Sequence, residues 1–253
     1  MDIYHAVMLG IVQGITEFFP ISSSGHLVIL QNLLGLEEPQ MAFDIFLHLG
    51  TSAAVIIFFR KDILGLFRGD RKTLSFILIA TIPTFIIGFF FKDAVESFFR
   101  SARIAGYMLI VTGIWLGLAS RISHIREGEK KELGPANSVM IGISQGVAVI
   151  PGISRSGATI ATAMLLGIDK EKACRFSFLL SLPAILGATA LRAHKIAAHL
   201  ASAEMLSYLA GGVVAMCAGL AAIKILLVMV RSDRFYFFSV YCLAAGILVL
   251  ITL

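Results

Sequence analysis

Gln13 to His26 reads Gln-Gly-Ile-Thr-Glu-Phe-Phe-Pro-Ile-Ser-Ser-Ser-Gly-His, inside an otherwise apolar stretch covering residues 1–35. Gln145 to Thr159 repeats the pattern and adds an arginine. In hydrocarbon, such a polar cluster costs several kcal/mol unless protein, ion or water satisfies it. A plain spanning helix needs about 20 mostly apolar residues, but Gly14, Pro20 and Ser22-Ser23-Ser24-Gly25 interrupt this run near its middle. The pattern predicts two half-helices joined by a polar turn, a re-entrant hairpin over about residues 5–35. Irregular backbone at that depth persists only under a cover of protein or around a wet cavity, so the remaining chain must supply that cover.

The rest of the chain is suited to a membrane. It is 58% hydrophobic and 15% charged, with a mean hydropathy of +0.89. Soluble domains carry roughly a quarter charged residues. The expected fold is therefore an all-α polytopic membrane protein in the lipid bilayer. Met1 to His5 shows no basic n-region, so no cleaved signal peptide is expected. The net charge of +5 comes from Lys and Arg placed between apolar spans, which points to topology rather than to nucleic acid as a partner. Cys174, Cys217 and Cys242 read as buried small hydrophobes without disulfide or metal spacing.

Spans are expected at about 41–59, at 73–91 with a kink at Pro83, and at 104–120. Arg60 to Lys72 and Lys92 to Arg103 read as short loops, and 121–136 as a polar linker. A second broken hairpin at about 137–167, interrupted at Pro151-Gly152, precedes spans at about 174–191, 203–230 and 235–253. The chain thus divides into residues 1–120 and 137–253. The halves repeat: at a shift of 132, eight of eighteen positions match between Gly10–Leu27 and Gly142–Thr159. One residue out of that register, Phe43 to Gly50 resembles Phe176 to Pro183.

Three spans separate the hairpins. Three is odd, so the halves are expected to be inverted-topology repeats, each a re-entrant hairpin plus three transmembrane helices. Such repeats place their site near the midplane, where they meet. If loops 60–72, 121–134, 167–175 and 231–234 face the cytoplasm, they hold fourteen Lys or Arg, against five on the other face (Lys92, Arg100, Arg103, Arg192 and Lys195). That bias places both termini outside. Hairpin one then opens outward, hairpin two inward, and the tips meet.

The two tips carry phosphate chemistry. Glu17 lies one helical turn after Gln13, so the two share a face. Glu17 reads either as a buried partner for a cation or as a ligand for a divalent ion bridging phosphate oxygens; Mg²⁺ typically takes one or two protein carboxylates plus phosphate. Ser22 and Ser24 read as helix caps or as phosphate ligands. Gly25 permits close approach to the backbone. His26, one turn from Ser22 and Ser23, is suited to move protons near neutral pH, or is a core histidine with one hydrogen bond. In the second tip, Gly152, Ser154, Ser156, Gly157 and Thr159 surround Arg155, the only Arg or Lys in either broken segment. An arginine at that depth costs at least about 2.5–3.5 kcal/mol on insertion scales. Its planar fork suits phosphate, or it pairs with Glu17, or it does each in turn. Asp44 and His48 share a face of the first span and are weaker candidates to support the site. His5, His124, His194 and His199 lie at ends or in loops and are expected to be solvated.

Gln13 to His26 resembles the first signature of the bacterial undecaprenyl-diphosphate phosphatases, the bacitracin-resistance membrane proteins. Pro151 to Thr159 resembles their second. The resemblance extends over the whole chain, including Phe43 to Thr51 and Phe176 to Pro183. It implies an enzyme of the bacterial plasma (inner) membrane whose site opens to the outer face. Such an enzyme removes the terminal phosphate of undecaprenyl diphosphate with a divalent cation (Mg²⁺ or Ca²⁺). It regenerates the lipid carrier for peptidoglycan synthesis and confers bacitracin resistance. Carried over by position, the acid is Glu17, the seryl cluster Ser22, Ser23 and Ser24, the base His26 and the phosphate clamp Arg155, with Ser154 and Thr159 in support. Many relatives have Glu where this chain has Gln13, which leaves Glu17 the principal metal ligand and Gln13 a lesser one. The expected sequence of events is attack by Ser23, with His26 taking its proton; direct attack by water is the variant. The layout also leaves room for a homodimer. A rival class is a polyprenyl-phosphate flippase or anion transporter, because transporters share inverted repeats and broken helices.

Overall fold

A computed structural model describes residues 1–36, 41–91, 95, 97–99, 101–125, 131–191 and 204–253. Among them are eleven named helices: α1 Ile3–Phe18, α2 Ser23–Leu33, α3 Met41–Phe58, α4 Arg60–Arg68, α5 Arg71–Phe90, α6 Ala102–Ile125, α7 Pro135–Val147, α8 Arg155–Leu165, α9 Lys170–Leu191, α10 Met205–Arg231 and α11 Tyr236–Thr252. Four are long and apolar enough to cross a bilayer: α5, α6, α9 and α10, with mean hydropathy of 2.1, 1.5, 1.6 and 2.6. At 1.5 Å rise per residue, each spans about 30 Å or more. Helix α11 has 17 residues. Their outward faces carry exposed Phe85, Phe89, Phe90, Val213, Val240, Leu248 and Ile251, side chains at home in lipid. The chain is thus a multi-pass membrane protein.

The helix breaks fall where the polar motifs lie. Helix α1 stops at Phe18 because Phe19 precedes Pro20 and takes an extended backbone (φ −65°, ψ 137°), as residues before proline do. Helices α2 and α8 start on side-chain caps: Ser22 Oγ accepts from Gly25 N at 3.2 Å, and Ser154 Oγ from Gly157 N at 3.0 Å. Proline opens α7 at its first position, where no helical N–H is lost.

Residues 60–72 are not a loop. Residues 60–68 form α4, bent 70° from the end of α3. Its Leu66 is buried while Arg60, Lys61 and Arg68 are exposed. The charge run reads as a loop, but Leu66 is buried, Ile63 packs against the core and Asp62 bonds Arg175, contacts that seat a short surface helix. Helix α9 likewise begins at Lys170, inside the expected loop, and α6 extends to Ile125. Cys174 and Cys242 are buried as expected, but Cys217 is exposed on α10. Lys92, Arg100, Arg192, Lys195, His194, His199 and linker residues 126–130 lie outside the described residues.

Small residues bring the halves together. A Cβ on Gly14 of α1 would stand 2.6 Å from the Ala215 carbonyl of α10, and one on Gly10 equally close to that of Gly211. Side chains there would push the helices apart. In the other half, Gly142 and Gly146 of α7 press on Ala80 and Ile87 of α5. The shift of 132 that carries Gly14 onto Gly146 also carries Ile87 onto Gly219, the other neighbour of Gly14. Each hairpin thus packs against the middle helix of the opposite half, in matching register at Gly14 and Gly146 and one residue apart at Gly10 and Gly142.

The basic loops gather at one end. Arg175 bonds Asp62 at 3.0 Å and Glu171 at 3.1 Å; Arg231 bonds Glu171 at 2.8 Å; Lys170 pairs with Asp233; Lys172 bonds Glu132 at 3.3 Å. At the other end, the Met1 ammonium pairs with Glu204, and Arg103 Nε donates to the Leu253 carbonyl at 3.1 Å.

Candidate active site

The two tips touch. A Cβ on Gly25 would meet Gly152 Cα at 2.9 Å, and one on Gly157 would meet Pro20 Cβ at 3.3 Å. These contacts are also reciprocal, because position 152 is position 20 shifted by 132. Gly152 adopts φ +96°, a conformation other residues rarely take. Here the close approach at Gly25 is to the other tip.

Contact between the tips sets Glu17, at the end of α1, against Arg155, at the start of α8. Both are largely buried, with side chains 5% and 16% exposed. Arg155 Nη2 donates to Glu17 Oε1 in a close ion pair. Glu17 Oε2 accepts from Ser23 Oγ at 2.5 Å and from Gln13 Nε2 at 3.0 Å. His48 Nδ1 lies 3.1 Å from Gln13 Nε2 and 3.6 Å from Glu17 Oε2. His48 thus joins the acid cluster, and Asp44 accepts from Gln31 at 3.0 Å.

Among the described residues, two polar atoms of this cluster are buried without a hydrogen-bond partner: Arg155 Nη1, a donor, and Gln13 Oε1, an acceptor. Buried polar groups are seldom left so, and at a binding site they wait for a ligand. A phosphate oxygen fits the first. The Gln13 amide oxygen and the Glu17 carboxylate are donors of the kind hard cations such as Mg²⁺ or Ca²⁺ take. Among the described residues no group of three His, Cys, Asp or Glu converges on one point, so substrate oxygens would have to complete the shell.

The seryl residues divide by role. Ser22 Oγ caps α2 and faces Ser24 Oγ at 3.3 Å; Ser154 Oγ caps α8 and faces Ser156 Oγ at the same distance. Ser156 also donates to the Phe19 carbonyl at 3.3 Å, and Ser154 N to Thr112 Oγ1 at 3.1 Å. Thr159 is fully buried, 2.6 Å from Ser177 Oγ and bonded to the Arg155 carbonyl at 2.9 Å. Its hydroxyl therefore locks α8 to α9 rather than joining the Glu17 cluster.

His26 keeps other company. Its Nδ1 lies 2.7 Å from the Ser22 carbonyl and its Nε2 2.7 Å from the Tyr241 hydroxyl. No hydrogen bond joins it to Ser23 among the described residues. Tyr241 was missed from sequence: it lies 215 residues away, in an apolar helix where a tyrosine attracts no notice.

A broken-helix membrane fold with an acid, a serine and an arginine buried at its centre defines a class: an intramembrane protein that handles anionic head groups. The chain belongs to the bacitracin resistance protein BacA family, whose model matches residues 6–248. It is 42% identical to the undecaprenyl-diphosphatase of Halothermothrix orenii over 255 residues, 99% of this chain and 98% of that protein. It is 42% identical to that of Desulforapulum autotrophicum over 99% of this chain and 98% of that protein, and 40% to that of Carboxydothermus hydrogenoformans over 99% and 97%.

Proposed function

We infer that this chain is an undecaprenyl-diphosphatase: it hydrolyses undecaprenyl diphosphate to undecaprenyl phosphate and inorganic phosphate. The product is the lipid carrier for cell-wall synthesis, and its recycling confers bacitracin resistance. The observation that carries the reading is the Ser23–Glu17–Arg155 cluster, a nucleophile, a base and a phosphate clamp assembled from both halves.

The chemistry follows from the hydrogen bonds. Ser23 donates to Glu17 Oε2, so Glu17, rather than the His26 that spacing suggests, is the nearer base for it. Ser23 Oγ attacks the terminal phosphorus, the bridging P–O bond breaks, undecaprenyl phosphate leaves, and Glu17 holds the seryl proton. Arg155 turns from Glu17 to the phosphate, and its unpaired Nη1 provides a second contact. Free N–H groups at the starts of α2 and α8 face the same charge. A divalent cation held by Gln13 and by Glu17 while it is ionised, before it takes the seryl proton, would supply neutralising charge to the phosphate oxygens. Water then attacks the phosphoseryl group, His26 takes the water proton, Glu17 returns its proton to Ser23, and phosphate departs.

The reciprocal packing supports inverted-topology repeats; the plasma membrane and access from the outer face are supported by the family likeness alone. The same packing favours a second reading, a lipid-phosphate flippase, since transporters share this architecture. Phosphate release by pure protein, with and without EDTA, separates the two. Expected is metal-dependent release, lost about 10²-fold or more in Glu17→Ala, Ser23→Ala and Arg155→Ala. Folded wild type that releases no phosphate, yet moves lipid phosphate across liposomes, would establish the flippase.

A further inference from the structure

One group at the site is used by nothing above. Tyr241 stands on α11, nearly half exposed toward the outer surface of the fold, with its hydroxyl 2.7 Å from His26 Nε2. The other ring nitrogen, Nδ1, faces the Ser22 carbonyl at the same distance. A carbonyl oxygen can only accept, so Nδ1 carries the hydrogen in that bond. In the neutral ring Nε2 is then the lone-pair nitrogen, and the Tyr241 hydroxyl donates to it. The ring is held from both sides as one tautomer.

The backbone at Ser22 also differs from that of its counterpart. Ser22 sits at φ +68°, one of two non-glycine residues at positive φ among those described. Its counterpart Ser154 has an ordinary φ of −74°. Both cap a helix in the same way, so capping does not require the strained turn. The shift of 132 carries His26 onto Ala158; both backbone N–H groups bond the capping serine's carbonyl, at 3.2 and 2.8 Å, and the ring contact is what the first tip adds. Strain of this kind persists where the surrounding structure enforces it, commonly at working sites.

We propose that Tyr241 is a positioning residue of the hydrolytic site, which with the Ser22 carbonyl fixes His26 as the Nδ1–H tautomer and covers Nε2 until a diphosphate head group arrives. The proposal rests on the phosphatase reading. An anionic head group entering past α11 displaces the phenol, and Nε2 is then free to take the proton of the attacking water. Tyr241 forms no bond to substrate and exchanges no atoms; it sets which nitrogen is basic and when it is exposed.

Nitrogen NMR of histidine-labelled full-length protein in nanodiscs tests this without turnover. Wild type should show His26 with a protonated Nδ1 and a hydrogen-bonded, unprotonated Nε2. Tyr241→Phe should lose the Nε2 hydrogen-bond shift and slow kcat by about tenfold while KM changes little. Tyr236→Phe, exposed on the same helix, should change neither. Unchanged His26 nitrogens in Tyr241→Phe, or a His26 signal showing protonated Nε2 in wild type, would overturn the proposal. Absent phosphate release with the expected NMR shift would instead count against the phosphatase reading and leave the His26–Tyr241 pair standing.

Discussion

Ser22 and Ser154 show how one residue type at matched positions serves different ends. Both cap a helix, but only Ser22 holds positive φ, at a cost on the order of 1 kcal/mol. Glycine takes that conformation freely and costs only a few tenths of a kcal/mol as a cap. Ser22→Gly is therefore expected to unfold in detergent at an unchanged or slightly higher temperature, whereas Ser154→Ala should lose about 1 kcal/mol. A clear drop in the Ser22→Gly unfolding temperature would show that the turn is not strained. At Arg155, charge alone is insufficient: lysine presents a point charge and cannot reach Glu17 and phosphate as a fork does. Arg155→Lys should keep the fold but release phosphate about 10²-fold more slowly. Near-normal release would mean that the second guanidinium nitrogen, buried and unpaired here, has no role.

At the scale of elements, the helices are held by absent side chains. Gly14 meets the backbone of Ala215 and Gly219, and backbone cannot move aside as a side-chain end can. Gly14→Leu should part α1 from α10 and abolish folded protein, seen as loss of the monodisperse peak in detergent chromatography. Gly65, inside α4, faces open space, so Gly65→Ala should stabilise α4 by roughly 0.5–1 kcal/mol through helix propensity. The contrast separates packing glycines from incidental ones, a distinction composition alone cannot make.

For the whole molecule, the ion pairs that tie Asp62, Glu132, Glu171 and Asp233 to the basic loops collect those loops at one end, opposite both termini. In a cysteine-free background, Ser232→Cys should react with an impermeant maleimide only from the cytoplasmic side, and Ser101→Cys only from outside. Reaction of both from one side would refute the inverted arrangement. Helix positions, the two broken segments and the pairing of Glu17 with Arg155 were legible in the chain, because hydropathy, proline and buried charge act locally or without regard to distance. The helical state of residues 60–68 was not, since it depends on tertiary contacts of Leu66, Ile63 and Asp62. Nor was the partner of each proton. Ser23 and His26 lie three residues apart, and that spacing suggests a shared proton; in the fold Ser23 bonds Glu17 and His26 bonds Tyr241. Spacing along α2 limits which of its side chains can meet, but the neighbours packed around it decide the partners: α1 sets Glu17 beside Ser23, and a hydroxyl 215 residues away reaches the ring only because α11 packs beside the tips.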